Sequence, residues 1–222
     1  MRVYTKNLKG LLTKQEHKVF SRLHTPQKIQ DYLDALPINF EPEGDTLFSP
    51  RQVLQHKRAH CMEGALFAAA ALAYHGHRPL LLDLQTLAHD DDHVVTLFQE
   101  KGSWGAISKT NHAILRWRDA VYKTPRELAM SFFHEYYLDD GVKTLKAFSK
   151  PFDLRRYKPE QWVVSEGKEG HLDFIAEELD ESPHISIIAN GARRRLRKTS
   201  PLERNTLRFT EWKRGKKPQK LF

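Results

Sequence analysis

The chain has 222 residues, 40% hydrophobic and 29% charged, which is enough to bury a core and excludes disorder throughout; its single cysteine, Cys61, excludes an internal disulfide and any zinc site built on paired cysteines. No run of about 18 apolar residues occurs and no apolar stretch with a small-residue cleavage site follows Met1, so the sequence predicts a soluble, cytoplasmic protein with no membrane segment. The net charge of +8 is local: twelve of the 36 Lys and Arg fall from Arg193 onward against only Glu203 and Glu211, which predicts a basic, solvated tail over residues 193–222.

Residues 1–24 are polar and basic, with Val3, Tyr4, Leu8, Leu11 and Leu12 setting no firm period, and read as an N-terminal arm. Thr25-Pro26 supplies a cap followed by proline at the first turn, and Ile29, Tyr32, Leu33 and Leu36 recur at helical steps, so a helix is expected from about Pro26 to Leu36. Residues 38–48 form a loop, and Ser49-Pro50 opens a short helix carrying Val53 and Leu54. From Cys61 to Tyr74 the chain is apolar on all sides and stops at His75-Gly76, the pattern of a buried helix. Pro79 to Leu84, His93 to Phe98 and Ser103 to Ser108 read as strands, the last two as a hairpin. Thr124-Pro125 with Glu127 opens a helix expected to end at Asp139-Asp140-Gly141. Pro151 to Trp162 is a closing segment and Leu172 to Leu179 a small helix. The predicted organisation is an arm over 1–24, a main α+β domain over 25–165, a small helical segment over 166–192 and the basic tail over 193–222.

Cys61 falls at the first turn of the buried helix, where unpaired N–H groups and the positive end of the helix dipole favour a thiolate and could bind a developing oxyanion. His93 opens a strand and is the candidate base that would take the thiol proton and return it to a leaving group. A four-residue loop over 99–102 pairs Phe98 with Ser103 and His93 with Ser108, which makes Ser108 the group that orients the imidazole. Asn111 is the alternative orienting group, three residues farther along, and Asp92 should point to the opposite face. Gln55, six residues before Cys61, is the candidate oxyanion donor, with Gln52 beside it.

These residues carry a resemblance. CMEGALFAAAALAYHG from Cys61, DHVVTLF around His93 and SWGAIS from Ser103 to Ser108 resemble the transglutaminase-like branch of the papain-like cysteine superfamily, in which a cysteine at the start of a buried helix is followed by a histidine opening a strand and a Trp-containing strand ending in aspartate. AHCMEGALFAAA and KTNHAILRWRDAVY are similar to uncharacterised bacterial proteins of that type. The resemblance covers about residues 25–155. It implies a papain-like fold, with the Cys61 helix packed on an antiparallel sheet, and a thiol hydrolase or acyltransferase acting on amide bonds of a protein or peptide. The family pattern has aspartate where this chain has Ser108, so the imidazole here has an uncharged partner. The alternative implied is an inactive scaffold of the same fold that binds a partner.

Other constellations are weaker. His89, Asp90, Asp91, Asp92 and His93 form the densest set of metal-type side chains, but neighbours on one loop cannot all converge, and a solvated acidic loop is expected, with no metal. His112 is a core, surface or supporting histidine, and Trp104 packs or walls the cleft. No GxxxxGK[ST] or GxGxxG segment supports a nucleotide, and no cofactor is expected. The basic tail, with Phe209 and Trp212, could make weak, salt-sensitive contact with nucleic acid.

Overall fold

The computed structural model describes residues 1–42, 44–167, 171–189 and 191–214. Residues 1–24 are not an arm. They form α1 (Arg2–Leu11) and α2 (Lys14–Phe20), joined at Thr13, whose side chain accepts from the Glu16 amide while Glu16 reaches back to the Thr13 amide. Tyr4, Leu8 and Leu11 are spaced as one face of a helix, Leu8 and Phe20 are fully buried, and the Thr5 hydroxyl donates to the Ala73 carbonyl at 2.9 Å. The basic composition hid this face, because Lys6 is exposed on its far side and Lys9 lies over the Tyr74 ring, 4.3 Å from its centre.

Next come α3 (Pro26–Ala35) and α4 (Pro50–His56), each with Pro in its first turn, capped by Thr25 and Ser49 respectively, and then α5 (Cys61–Tyr74). Thirteen of the fourteen α5 residues are buried, which its sequence requires: a helix with no polar face has nowhere to be but between layers. On one side α1, α3 and α4 cover it; on the other it lies along the sheet. The Thr96 hydroxyl, inside that contact, donates to the Ala65 carbonyl at 2.6 Å.

The sheet contains β1 (Leu80–Gln85), β2 (His93–Glu100), β3 (Ser103–Ile107), β4 (Arg118–Tyr122), β5 (Ala147–Ser149), β6 (Phe152–Asp153) and β7 (His184–Ser186). The strand order among the described residues is β4-β3-β2-β1-β5-β7, with β6 also on β1, and every pair is antiparallel. The fold class is therefore α+β, as the sequence predicts. Leu81, Val94, Phe98 and Ile107 face the helical layer. Leu80, Leu82, Leu84, Val95 and Leu97 face a second core. That second core is closed by α6 (Pro125–Phe132) and the chain after it, including Phe133, Tyr136, Leu145 and Phe148.

Two elements differ from expectation in this region. The β2–β3 turn is two residues, Lys101 and Gly102, with φ of 49° and 83°, and Glu100 pairs with Ser103. The register is thus displaced by two positions from a four-residue loop, which leaves each side chain on its expected face because the strand period is two. Helix α6 stops at Phe132 instead of reaching Asp139, because the following backbone is claimed by residues 141–144: the Thr144 amide donates to the Tyr136 carbonyl at 3.1 Å and Leu138 to Val142 at 3.1 Å.

After β6, α7 (Pro159–Trp162) places fully buried Trp162 against α1, its indole N–H donating to the Tyr4 hydroxyl at 2.9 Å. Helix α8 (Asp173–Asp180) follows, then β7 and α9 (Pro201–Arg204). The Arg193-to-Arg214 part of the basic stretch is not a free tail. Arg193 donates to the Lys143 carbonyl at 2.8 Å, Thr199 is buried and bonded to Gly141, Tyr137 donates to the Glu203 carbonyl at 2.7 Å, and Arg214 donates to the Phe40 carbonyl at 2.9 Å. Composition missed this because guanidinium groups here cap backbone carbonyls, a use that charge counting cannot see. The rest of the stretch, 215–222, lies outside the described residues, as do 168–170 of the polar break before α8. Among the described residues no helix is long and apolar enough to cross a membrane.

Buried Lys109 shows how tightly the layers meet. It follows β3, its ammonium donates to the Leu33 carbonyl at 2.8 Å and to that of Leu36, and its stem lies so close to Gly64 of α5 that a Cβ there would stand 2.4 Å from the Lys109 Cβ. Burial pushes the Lys109 ammonium down to about 8 from its usual 10.5. Between those two pH values the folded protein has released a proton that the unfolded chain still holds, so this site adds stability as pH rises from 8 to 10.5. The stability difference between the parent and Lys109→Met should grow in the parent's favour by about 2–3 kcal/mol over that range, read from urea unfolding. A difference flat with pH would show that Lys109 does not titrate there.

Candidate active site

The site lies where α5 and β2 begin and β3 ends. His60 is the N-cap of α5: its ring nitrogen Nδ1 accepts from the Met62 amide at 3.3 Å, and Glu63 returns to the His60 amide at 2.8 Å. That reciprocal cap fixes where the helix starts and so puts half-buried Cys61 at its first residue. The imidazoles that act on the thiol are those of His60 and His93.

His93 is the first residue of β2, buried, and its Nε2 lies 2.8 Å from the Ser108 hydroxyl just past β3. The two-residue turn puts Ser108 diagonally across from His93 instead of directly opposite, still on the same face and within reach. The Ser108 hydroxyl donates to the Leu115 carbonyl at 2.6 Å, so it accepts from His93, which fixes a proton on Nε2 and leaves Nδ1 as the basic nitrogen. Gln30 of α3 clamps the serine backbone, accepting from its amide at 2.9 Å and donating to its carbonyl at 2.8 Å.

Burial would push the Cys61 thiol up. Hydrogen bonds from His60 and His93, and the charge on those rings, outweigh it and hold the thiol well below its usual range. Burial alone would likewise lower His60, yet its bonds to Cys61 and the Thr46 carbonyl, and the nearby Glu63 carboxylate, raise it to about 9. Tyr136, on the turn after α6, is pushed up by burial and by the negative sulfur, and its hydroxyl donates to the Asp91 carbonyl at 3.0 Å.

Glu63 is the hub of this end of α5. It is fully buried and accepts from the Asn39 amide, the Thr46 hydroxyl, the Phe48 backbone N–H and the His60 backbone N–H, at 2.8–3.1 Å. These bonds bind the loop before α4 to the nucleophile's helix. Sequence reading passed over His60, Glu63 and Gln30. For the first two a signal existed in His60-x-x-Glu63, the spacing of a capping box, with histidine in the place usually held by serine or threonine.

Three candidates are placed elsewhere. The Gln55 amide donates to Glu166 at 3.0 Å, and Gln55 lines a surface groove with Tyr32, Leu36 and Leu54. Gln52 is taken by the Ser49 amide at 3.0 Å and the Gly167 carbonyl at 3.3 Å. Neither amide is turned to the thiol, because the period of α4 points both toward the segment after α7. The donors that the helix itself offers a developing oxyanion are the first-turn amides of α5. Asn111 does not orient His93: both ends of its amide pair with the Trp212 backbone, at 3.0 and 2.8 Å.

Asp92 accepts from the Thr86 amide at 2.6 Å and its hydroxyl at 2.8 Å. Asp90 is held by Thr144. The acidic loop is thus tied to its neighbours. Among the described residues, one group of metal-type side chains converges: Asp83, Asp92 and Asp180 bring an oxygen each within 4.8 Å of one another, with His184 Nε2 already 2.9 Å from Asp83.

No protein-family model matches the chain, and no curated protein matches it. Fourteen chains of solved structures do match. One is calcium-bound LapG of Legionella pneumophila, 12% identical, with a TM-score of 0.39, the match covering 80% of this chain and 97% of that one.

Proposed function

We propose that the protein is a transglutaminase-like cysteine hydrolase or acyltransferase acting on amide bonds of a protein or peptide. The observation that carries this reading is the thiol of Cys61, at the first residue of a buried helix, in contact with His93, whose other nitrogen is fixed by Ser108. The order of these residues along the chain and the helix and strand they occupy support the family reading.

In this mechanism His93 Nδ1 takes the thiol proton, and the sulfur attacks the amide carbonyl. The carbonyl electrons move to oxygen, facing the N-terminal amides of α5. They return as the C–N bond breaks, and the imidazolium proton goes to the departing amine, leaving a thioester. Water or an acceptor amine then attacks the thioester, its proton passes to His93, and the C–S bond breaks to restore the thiolate. Water gives hydrolysis and an amine gives transfer.

Activated esters test this directly. Mixing the full chain with p-nitrophenyl acetate at pH 7 should give a burst of p-nitrophenol and an acetyl adduct on Cys61 by intact mass, discharged by water or added amine. His93→Ala should lose the burst. An adduct that forms and is never discharged would point to the alternative of a binding scaffold, and no adduct at all would overturn the reading.

A further inference from the structure

A carboxylate oxygen buried in a folded protein is hydrogen-bonded, paired with a cation or bound to a metal. Asp83, in β1, is fully buried, and its two oxygens are treated differently. Oδ2 accepts from His184 Nε2 at 2.9 Å, while Oδ1 has no hydrogen-bond partner among the described residues. Two further carboxylates face this one: Asp92, from the loop before β2, and Asp180, the last residue of α8. An oxygen from each of the three lies within 4.8 Å of the others. Asp92 and Asp180 are exposed, so the cluster opens to solvent. Thr86 holds Asp92 by Oδ1 and leaves Oδ2 without a donor, and among the described residues neither oxygen of Asp180 accepts a hydrogen bond.

We propose that Asp83, Asp92 and Asp180 form a binding site for one hard divalent cation of calcium size, with Asp83 Oδ1, Asp92 Oδ2 and the Asp180 carboxylate as its protein ligands and solvent completing its shell.

Charge and geometry both favour this occupant. Even a fully protonated His184 leaves the four side chains with two excess negative charges, which one divalent ion neutralises. Burial, with Asp92 and Asp180 nearby, pushes the Asp83 carboxyl up to about 6 against the pull of His184, which is the electrostatic cost of gathering three acids. Helix α8 adds to the field: it closes on Glu177-Glu178-Leu179-Asp180 with no basic residue in its last turn, although the negative end of a helix dipole favours cations there. Oxygen is the ligand that calcium takes, and an ion about 2.4 Å from each of two oxygens spans up to about 4.8 Å between them. The His184 bond to Oδ2 fixes the Asp83 carboxylate, as a supporting hydrogen bond does for a metal ligand. The three ligands come from a strand, a loop and a helix end, so the ion ties α8 to β1 and to the residue before His93.

The test is thermal melting of the full chain, stripped with EDTA and dialysed, in CaCl2 and in NaCl of equal ionic strength. At about 5 mM, calcium should raise the melting temperature of the parent over NaCl by at least about 2 °C. Asp180→Asn should melt no lower than the parent in NaCl, because one of three like charges is gone, and calcium should no longer raise it. A parent that calcium does not stabilise over NaCl, or a rise that Asp180→Asn keeps, would overturn the site. Should Asp180→Asn not fold, Asp92→Asn decides: it keeps the Oδ1 acceptor for Thr86, replaces the free oxygen by an amide NH2 and should lose the rise, and a rise that it keeps would overturn the site. Melting reads the site without Cys61 chemistry, so failure here leaves the Cys61–His93 reading standing.

Discussion

Glu63→Leu should cost about 4–8 kcal/mol, enough to leave little or no folded protein at 37 °C. Leucine fills nearly the volume of glutamate, so the loss is in acceptors, not in packing. Two donors, the Phe48 and His60 backbone N–H groups, lose their acceptor, and the Asn39 amide and the Thr46 hydroxyl each lose one bond while keeping contacts to Thr46 and Glu41. Each buried donor left without an acceptor costs about 1–3 kcal/mol, and each of the two other lost bonds about 1 kcal/mol. Against a typical total stability of about 5–15 kcal/mol, that is most of the margin. Glu63→Gln keeps one acceptor oxygen and should lose less. Urea unfolding measures both, and amide hydrogen exchange should show residues 39–48 opening first in the glutamine variant. A Glu63→Leu protein within 1 kcal/mol of the parent would mean that the loop is held by something other than this carboxylate.

The second large effect is on rate. His93→Ala should slow formation of the acyl adduct at neutral pH by about 10²–10⁴, the usual contribution of a positioned acid and base. Ser108→Ala should slow it less, by about 10–100, since the imidazole stays but loses the bond that fixes its tautomer and rotation. Restoring a carboxylate is not expected to help. The Ser108 hydroxyl donates to the Leu115 carbonyl at 2.6 Å, and Gln30 clamps the serine backbone, so the side chain of Ser108→Asp would aim negative oxygen at a carbonyl in a buried position. Ser108→Asp should therefore be less stable than Ser108→Ala and no faster, checked by burst rate and thermal melting on the same preparations. A faster aspartate variant would show that charge, and not orientation, limits His93.

Much of this was written locally. The buried helix from Cys61 to Tyr74 follows from a stretch with no polar side followed by a glycine stop, and its first residue from a cap three positions ahead of a glutamate. Cysteine before histidine, helix before strand, is likewise legible, as is the hairpin, because periods of 3.6 and 2 are properties of neighbouring residues. A four-residue loop puts Ser108 directly opposite His93 and the two-residue turn puts it diagonally across, on the same face because a shift of two preserves the face.

What the sequence could not decide was where long side chains and remote segments end. Gln55 and Asn111 have the right chemistry for oxyanion and orienting roles, and each is claimed by a residue more than 100 positions away, Glu166 and Trp212. The Arg193-to-Arg214 segment has the charge of a free tail, yet its guanidinium and backbone groups bond to Lys143, Gly141, Asn111 and Phe40. Residues 1–24 have the composition of an arm, yet Leu8 and Phe20 complete the covering of α5. Local pattern fixes which face of an element is apolar and where it is capped. Which donor meets which acceptor is settled by packing across the whole chain.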